Sequence, residues 1–351
     1  MKLLIIDPST DPRWDSFVER HPLGTLYHRS CWKEILQRTF GYAPLYCVLE
    51  DAERNIVGGM ALAFVRSVLT GNRLVSLPFA DYCDPLVGSE EDFRALLSGI
   101  VQSVQGRKSR FIKLCTADPP IALPAFGFQQ AVTYKNHLVP TDRPLDQIRS
   151  SVISTSRRNM IRKAQKLGVR VVRADNEGDL EEFLLMYLRT RKGHGLLPMP
   201  FRFFRNLWKE FSPKGQAYLH VAKLGPRSIA GMFLLRDSKM LYALSAASIE
   251  EYLSYRPNDL LYWEAIELAS REGLPFVDFG RTAEGNHGLL QFKREWGSTE
   301  RDLRHYLMPL KGHRHWRMEG LASHDGLRRL VKRMPDPLLK IGGDVLYRHL
   351  G

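Results

Sequence analysis

The residues best suited to chemistry crowd into one stretch, VDFGRTAEGNHGLLQFKREWG, from Val277 to Gly297. It opens as a buried strand, runs past Gly280, Gly285 and Gly288, and reaches Lys293. These glycines do not make a phosphate-cradling loop: no GK[ST] follows them, their spacing is not GxGxxG, and no helix is expected after them. Lys293 follows Phe292 and precedes Trp296. Apolar rings could hold its stem and leave its ammonium in a cleft, where a cation would stabilise the oxyanion formed when an acyl carbonyl is attacked by an uncharged amine. The alternative is a strand-edge lysine with its head in water, the usual fate of lysine. Asp278, between Val277 and Phe279, is either the partner of a nearby cation, Arg281 being the obvious one, or part of the site together with Gly280. In PFADYCDP, Asp81 and Asp84 follow a strand. Asp84 could be a general base for the amine, or it could serve turn chemistry, as Asp before Pro commonly does.

Charge gives a second set of candidates. The net charge is +13 and it is concentrated. Ser151 to Ala174 carries seven Lys/Arg and no acid, and Lys311 to Gly351 carries nine against four acids. Two local patches imply anionic partners at defined places rather than general adhesion to nucleic acid. The first patch predicts a helix capped by Ser154, Thr155 and Ser156. Arg158, Arg162 and Lys166 fall on one face, and Met160, Ala164 and Leu167 on another. Arg157, Arg158, Arg162 and Lys163 are therefore candidate phosphate contacts through charge-assisted bonds. Tyr242, Asn258, Gly280, Arg281, Phe292 and Trp296 are further candidate substrate contacts. In the tail, Leu327, Leu330, Val331 and Met334 alternate with Arg328, Arg329, Lys332 and Arg333. That pattern fits either a helix lying on an anionic membrane or one docked on the protein body. His313 and His315 form an HxH without a convincing third ligand, so no metal is expected.

Composition sets the frame. The 351 residues, with 44% hydrophobic and 25% charged, are those of a globular protein of two domains. The four cysteines form no CxxC, and MKLLIIDPST is too short an apolar run for a signal peptide; a reduced, cytoplasmic setting is expected. Ile56 to Val65, the longest span candidate, is half the length needed to cross a bilayer.

The elements that must position these residues come in a repeated order. WDSFVERH and CWKEILQRTF read as helices, PLYCVLE and NIVGGMALAFVRS as strands around DAERN, RLVSLPF as a strand, EEDFRALLSGIVQSVQ as a helix and RFIKLCT as a strand. The second half repeats this with DLEEFLLMYLRTRKG, FRFFRNLWKEF, QAYLHVAKL, SIAGMFLLRD, MLYALSAAS, PNDLLYWEAIELASREG and PFVDFG. Ile56 and Ile229, 173 positions apart, occupy equivalent strand entries. The reading is a tandem duplication of one α/β (α+β) domain, with mixed central sheets flanked by helices.

This element order resembles the GNAT acyltransferase fold, and two such domains in tandem resemble the Fem family of aminoacyltransferases that build peptidoglycan cross-bridges. PNDLLYWEAIELASREG, FVDFG and GLLQFKREWG look like the C-terminal signature of Fem-like proteins. SRRNMIRKAQKLGVRV looks like the basic helix opening their second domain, and GTLYHRSCWKEIL with LVSLPFADYCDPLV like their first. The similarity is strongest to the FemAB-like subgroup associated with exopolysaccharide and exosortase systems, and it covers about residues 10 to 310. It implies domains at 1–145 and 146–310, with 311–351 as a basic amphipathic tail. It gives Lys293, the lysine of FKxxWG, the oxyanion role. It implies transfer of an acyl or aminoacyl group by direct attack to an amine of a cell-envelope or exopolysaccharide precursor, with no tightly bound cofactor. The donor would be aminoacyl-tRNA or acyl-CoA. The helical arm that some Fem proteins carry, associated with tRNA, is absent, and so is the R/Q-x-x-G-x-G/A loop of ordinary CoA users. An acyl-CoA-dependent N-acyltransferase for an amino sugar or small amine, and a non-catalytic binding protein, are the alternatives. A peripheral position at the inner face of the membrane, through 320–351, is a further expectation.

Overall fold

The computed structural model describes residues 1–106, 108–174, 176–310 and 325–351. His313 and His315 lie outside the described residues. Two compact units are present. Among the described residues, unit 1 holds 1–134, 302–310 and 345–351, and unit 2 holds 135–301 and 325–344.

The first repeat runs β1 (Lys2–Ile6), α1 (Pro12–Arg20), α2 (Ser30–Phe40), β2 (Ala43–Glu50), β3 (Ile56–Val65), β4 (Arg73–Ser76), α3 (Glu90–Ser103) and β5 (Phe111–Thr116). Strand β6 (Gln129–Pro140), the single turn α4 (Leu145–Gln147) and the basic helix α5 (Thr155–Lys166) follow. The second repeat is β7 (Val169–Ala174), α6 (Glu177–Gly193), α7 (Phe201–Phe211), β8 (Ala217–Leu224), β9 (Arg227–Arg236), β10 (Leu241–Ser248), α8 (Pro257–Arg271) and β11 (Phe276–Ala283). The chain ends with α9 (His287–Arg294), β12 (Thr299–Pro309), α10 (Asp325–Arg333) and α11 (Asp336–Leu350). Pairing matches element for element. β1–β2, β2–β3 and β3–β4 are antiparallel and β4–β5 parallel; β7–β8, β8–β9 and β9–β10 are antiparallel and β10–β11 parallel. The duplication is therefore real at the level of topology.

Local chemistry explains the elements. Helix α2 buries Trp32, Ile35, Leu36, Thr39 and Phe40 on one stripe and stops at Gly41, whose φ of 71° suits glycine. Helix α7 buries Phe203, Phe204, Leu207, Trp208 and Phe211 in the same way. Ser154 caps α5, accepting from the Arg157 N–H. The buried side of α5 is Ile161 and Ala164; Leu167 is exposed, which corrects the expected face.

Several expectations are revised. The edge strands β1 and β7 were not foreseen, nor were β6 and β12. These last two exchange places. Residues 302–309 of β12 pair antiparallel with β5 in unit 1, from Arg304↔Thr116 to Pro309↔Phe111. Residues 135–140 of β6 lie in unit 2, with β6 next to β11. Each repeat's sheet is thus extended by the strand that follows the other repeat in sequence, so a contiguous split at residues 145 and 310 does not describe the units. In the tail, Val331 and Leu339 are buried against Leu188, with Met334, Leu197 and Phe201 packed around them. Helix α10 thus docks by half of its apolar stripe, while Leu327 and Leu330 stay exposed. No helix among the described residues is long and apolar enough to cross a membrane.

Candidate functional site

Unit 2 contains a cleft of about 400 Å³ at the start of α8. Arg157, Arg256, Asn258, Asp259, Phe292 and Glu295 line it, with Gly288 and Gln291 from α9. Arg256 precedes Pro257, the first residue of α8, in a left-handed conformation (φ 60°), which is uncommon for a residue with a side chain. Three of the sequence candidates, Arg157, Asn258 and Phe292, meet here. Arg256, Asp259, Gln291 and Glu295 were not foreseen.

Arg157 does not wait for a phosphate. Its Nη1 donates to Asp259 Oδ1 at 2.5 Å and its Nε to Glu295 Oε2 at 2.7 Å, and its guanidinium lies 5.0 Å from the centre of the Phe292 ring. Burial pushes the Asp259 carboxyl above its ordinary value, although the Arg157 charge opposes the shift. The expected anion-binding role of Arg157 is corrected to that of a buried tie between α5, α8 and the end of α9. Arg158 is turned onto the carbonyls of Arg149 and Ser150 and onto Thr155 Oγ1. Arg162 and Lys163 are exposed, and neither lines the cleft.

Lys293 departs from expectation in another way. It lies on a helix, α9, which Asn286 caps by accepting from the Leu289 N–H. A helix therefore does follow the glycines, and the exclusion of a P-loop rests on the missing GK[ST] alone. The lysine is 3% exposed. Its ammonium turns onto β11, donating to the carbonyl of Gly280 at 2.8 Å and towards that of Arg281 at 3.4 Å. It is neither a strand-edge lysine with its head in water nor one with its head in the open cleft. Gly280 stands two residues beyond Asp278, the last β11 residue paired with β10. The ammonium thus sits where the two parallel strands stop pairing.

The geometry of β11 explains VDFG. Gly280 has φ 72°, and its N–H donates to Asp278 Oδ1 at 2.7 Å. Asp278 is 2% exposed and also accepts from Asn136 Nδ2 at 2.6 Å. Asn136 Oδ1 accepts from Arg301 Nε at 2.8 Å. The partners of Asp278 include an amide from β6, which the sequence reading did not find; Arg281, the cation expected nearby, is exposed. Beside Asn136, His137 is fully buried, with Nδ1 at 3.1 Å from Ser298 Oγ, which in turn donates to the Lys293 carbonyl at 3.0 Å. Burial first, and the Lys293 charge second, hold His137 down at about 4, so it is neutral near pH 7.

The other candidates are structural in this geometry. Tyr242 is 2% exposed and gives its hydroxyl to Asp237 Oδ2 at 2.7 Å, so it is not open to substrate. Trp296 is fully buried among Tyr262, Phe279 and Phe292. The glycine after it has φ 71°, and a Cβ there would lie 2.4 Å from Val152 Cγ1. The WG of the signature is a packing requirement. In unit 1, Asp84 is 3% exposed and accepts from the N–H groups of Ala117 and Asp118 at 3.1 Å. A carboxylate committed to backbone donors inside the protein is a clamp, which corrects its expected role as base. Among the described residues no group of three or more His, Cys, Asp or Glu is arranged to hold a metal.

Comparison with known proteins agrees with this architecture. The acetyltransferase (GNAT) domain family matches residues 154–294. A lipid II:glycine glycyltransferase of Staphylococcus saprophyticus is 24% identical over 376 residues, covering 82% of this chain and 89% of its own. The crystal structure of FemX superposes with a TM-score of 0.72 at 19% identity, over 88% of this chain and 98% of that one. A tandem GNAT protein from the clavulanic acid biosynthesis pathway gives 0.57 at 12% identity, over 88% and 99%. With the doubled topology and the FKREWG segment, these findings show an acyltransferase that contains a GNAT domain and resembles the FemAB-like proteins.

Proposed function

We propose that the chain transfers an aminoacyl group from a tRNA donor to an amine on a lipid-linked cell-envelope precursor, by direct attack of the amine on the acyl carbonyl. The observation that carries this reading is the Lys293 ammonium, buried and fixed on the Gly280 carbonyl where β10 and β11 stop pairing. A cation held in place before the reaction costs no reorganisation when the oxyanion forms. The relatives, being glycyltransferases that act on lipid II, support the acceptor class.

The donor is argued from charge. The cleft is nearly balanced, Arg157 and Arg256 facing Asp259 and Glu295, so it does not select a polyphosphate. The outer side of α5 is different. Arg158, Arg162, Lys163 and Lys166 make no ion pair among the described residues, and a row of unneutralised cations suits a polyanionic backbone. That favours charged tRNA over acyl-CoA. The exposed Leu327, Leu330, Leu338 and Ile341 of the tail, beside Arg328, Arg329, Lys332 and Arg333, support peripheral contact with an anionic membrane, where a lipid-linked acceptor would be found.

The test uses glycyl-tRNA with lipid II, and separately acetyl-CoA with glucosamine, each with purified protein and product detection by mass. Turnover is expected with the first pair. Lys293→Ala and the shape-keeping Lys293→Met should lower kcat by about 10²–10³-fold while far-UV circular dichroism stays native. Wild-type turnover in folded Lys293→Met would sink the assignment, and product from the CoA pair alone would replace the donor.

A further inference from the structure

We infer that Asn136, through Asp278, is a positioning residue for Lys293, and that strand β6 exists in unit 2 partly to supply it. This rests on the catalytic reading of Lys293 above. The path is short and continuous. Arg301 Nε holds Asn136 Oδ1 at 2.8 Å; Asn136 Nδ2 holds Asp278 Oδ1 at 2.6 Å; the same oxygen takes the Gly280 N–H at 2.7 Å; and the Gly280 carbonyl takes the Lys293 ammonium at 2.8 Å.

Each link has one purpose that its chemistry explains. Glycine at φ 72° is free to rotate, so its carbonyl needs an external restraint, and the Asp278 carboxylate pins its N–H. A carboxylate could itself turn about its side-chain bonds, and the fully buried Asn136 amide fixes its orientation. Asn is suited to this place because it donates to Asp278 and accepts from Arg301 at once. The next residue secures the other end of the lysine: His137 Nδ1 lies against Ser298 Oγ, and Ser298 holds the Lys293 carbonyl. Two consecutive residues of β6 thus act on the head and the backbone of one lysine. A displacement of about 1 Å at a reacting group can cost about 10²-fold in rate, so the bonds that hold the Gly280 carbonyl in place bear on the lysine it carries.

A core network that only stabilises the fold would give the same picture at rest, so the test separates rate from stability. With glycyl-tRNA and lipid II as substrates, Asn136→Ala and Asp278→Ala should each lower kcat by about 10–100-fold and change KM by less than about threefold, measured on protein shown to be folded. Asp278→Asn keeps an oxygen that can take both the Asn136 amide and the Gly280 N–H, the two bonds that Asp278 Oδ1 makes. It should hold kcat within about fivefold of wild type although the buried charge is gone, an outcome that mere loss of stability does not predict. If the alanine variants melt earlier but turn over at the wild-type rate, or if Asp278→Asn is as slow as Asp278→Ala, the inference is overturned. Inactive Lys293→Met beside fully active Asn136→Ala refutes the positioning role and leaves the lysine; active Lys293→Met removes the reading beneath both.

Discussion

Removing Arg157 should unfold more of the molecule than removing any other cation of its helix. The side chain is 14% exposed and Asp259 beside it 5%. At an effective dielectric constant of about 20, two unit charges about 4 Å apart attract by roughly 4 kcal/mol. Deleting one partner also leaves the other charge buried, and such single deletions cost about 3–5 kcal/mol. Glu295, 22% exposed, can rehydrate and adds little. Arg157→Ala is therefore expected to lose about 4 kcal/mol, a large share of the roughly 5–15 kcal/mol that a domain has. Arg162→Ala on the exposed face should stay within about 0.5 kcal/mol. Urea unfolding followed by tryptophan fluorescence measures both. The pH dependence carries the sign. Without Arg157 the Asp259 carboxyl, already pushed up by burial, rises further. The folded state then holds a proton that the unfolded chain releases above about 3.9, so the variant loses stability as pH rises through the folded value. Its deficit should be smaller at pH 5 than at pH 8. Arg157→Met combined with Asp259→Asn should recover most of the loss, since neither charge remains. A deficit under about 1 kcal/mol for Arg157→Ala, or one independent of pH, would refute the argument that this arginine is a buried tie.

Two further outcomes follow from the same structure. His137, faced by Lys293 and Arg294 on α9 and by Glu300 on β12, is held at about 4 against an ordinary 6.5. Its contribution is complete above pH 6.5 and is lost as pH falls towards 4, where the unfolded chain takes up the proton first; 2.5 units correspond to about 3 kcal/mol. His137→Gln should flatten that part of the stability–pH curve, and an unchanged slope would show that the imidazole is not held neutral. For the tail, flotation with vesicles of anionic phospholipid should carry the full chain at low salt, and Leu330→Asp with Ile341→Asp should reduce binding at least about tenfold, since each side chain withdraws about 1–2 kcal/mol of apolar burial. Equal flotation of both proteins would assign the exposed leucines no such role.

What the sequence made legible is what local rules govern. CWKEILQRTF and PNDLLYWEAIELASREG, read as helices, are α2 and α8. The repeat was visible because both halves keep the same order of periods. Helix α9 was missed because AEGNHG reads as loop; Asn286 three residues before Leu289 was the available signal, a cap ahead of an apolar pair. Strand β7, VRVVRA, has arginines at an edge and merged with the basic helix before it. Asn136 and His137 could not be found at all. The segment QQAVTYKNHLVP shows no clean alternation, and the importance of its polar residues comes from pairing with Asp278, 142 positions away, through an exchange of strands that no local pattern encodes.

The two repeats share a topology but differ in the connection that follows their fourth strand, β4 in the first and β10 in the second. In each, the parallel pair between its β–α–β elements is only two residues long: Leu74↔Ile112 and Val75↔Lys113 in the first, Leu241↔Val277 and Tyr242↔Asp278 in the second. In the first repeat the connection to α3 folds back over the unpaired end of β5. The Cys83 N–H bonds the Cys115 carbonyl at 2.7 Å, Asp84 takes the N–H groups of Ala117 and Asp118, and Leu86 bridges to Gly59. The Cys115 carbonyl and the N–H groups of Ala117 and Asp118 are thereby engaged by the chain itself. In the second repeat β10 instead continues along β9 to Ser248, with a bulge between Ala243 and Ser245, and the connection becomes the turn that opens the α8 cleft. Beyond Asp278, β11 presents Gly280 and the lysine fixed on it. The same duplication thus yields one repeat whose Asp84 closes the strand gap as a clamp and one whose Lys293 occupies it. The different placements of the Asp84 carboxylate and the Lys293 ammonium follow from this single difference in the strand–helix connection.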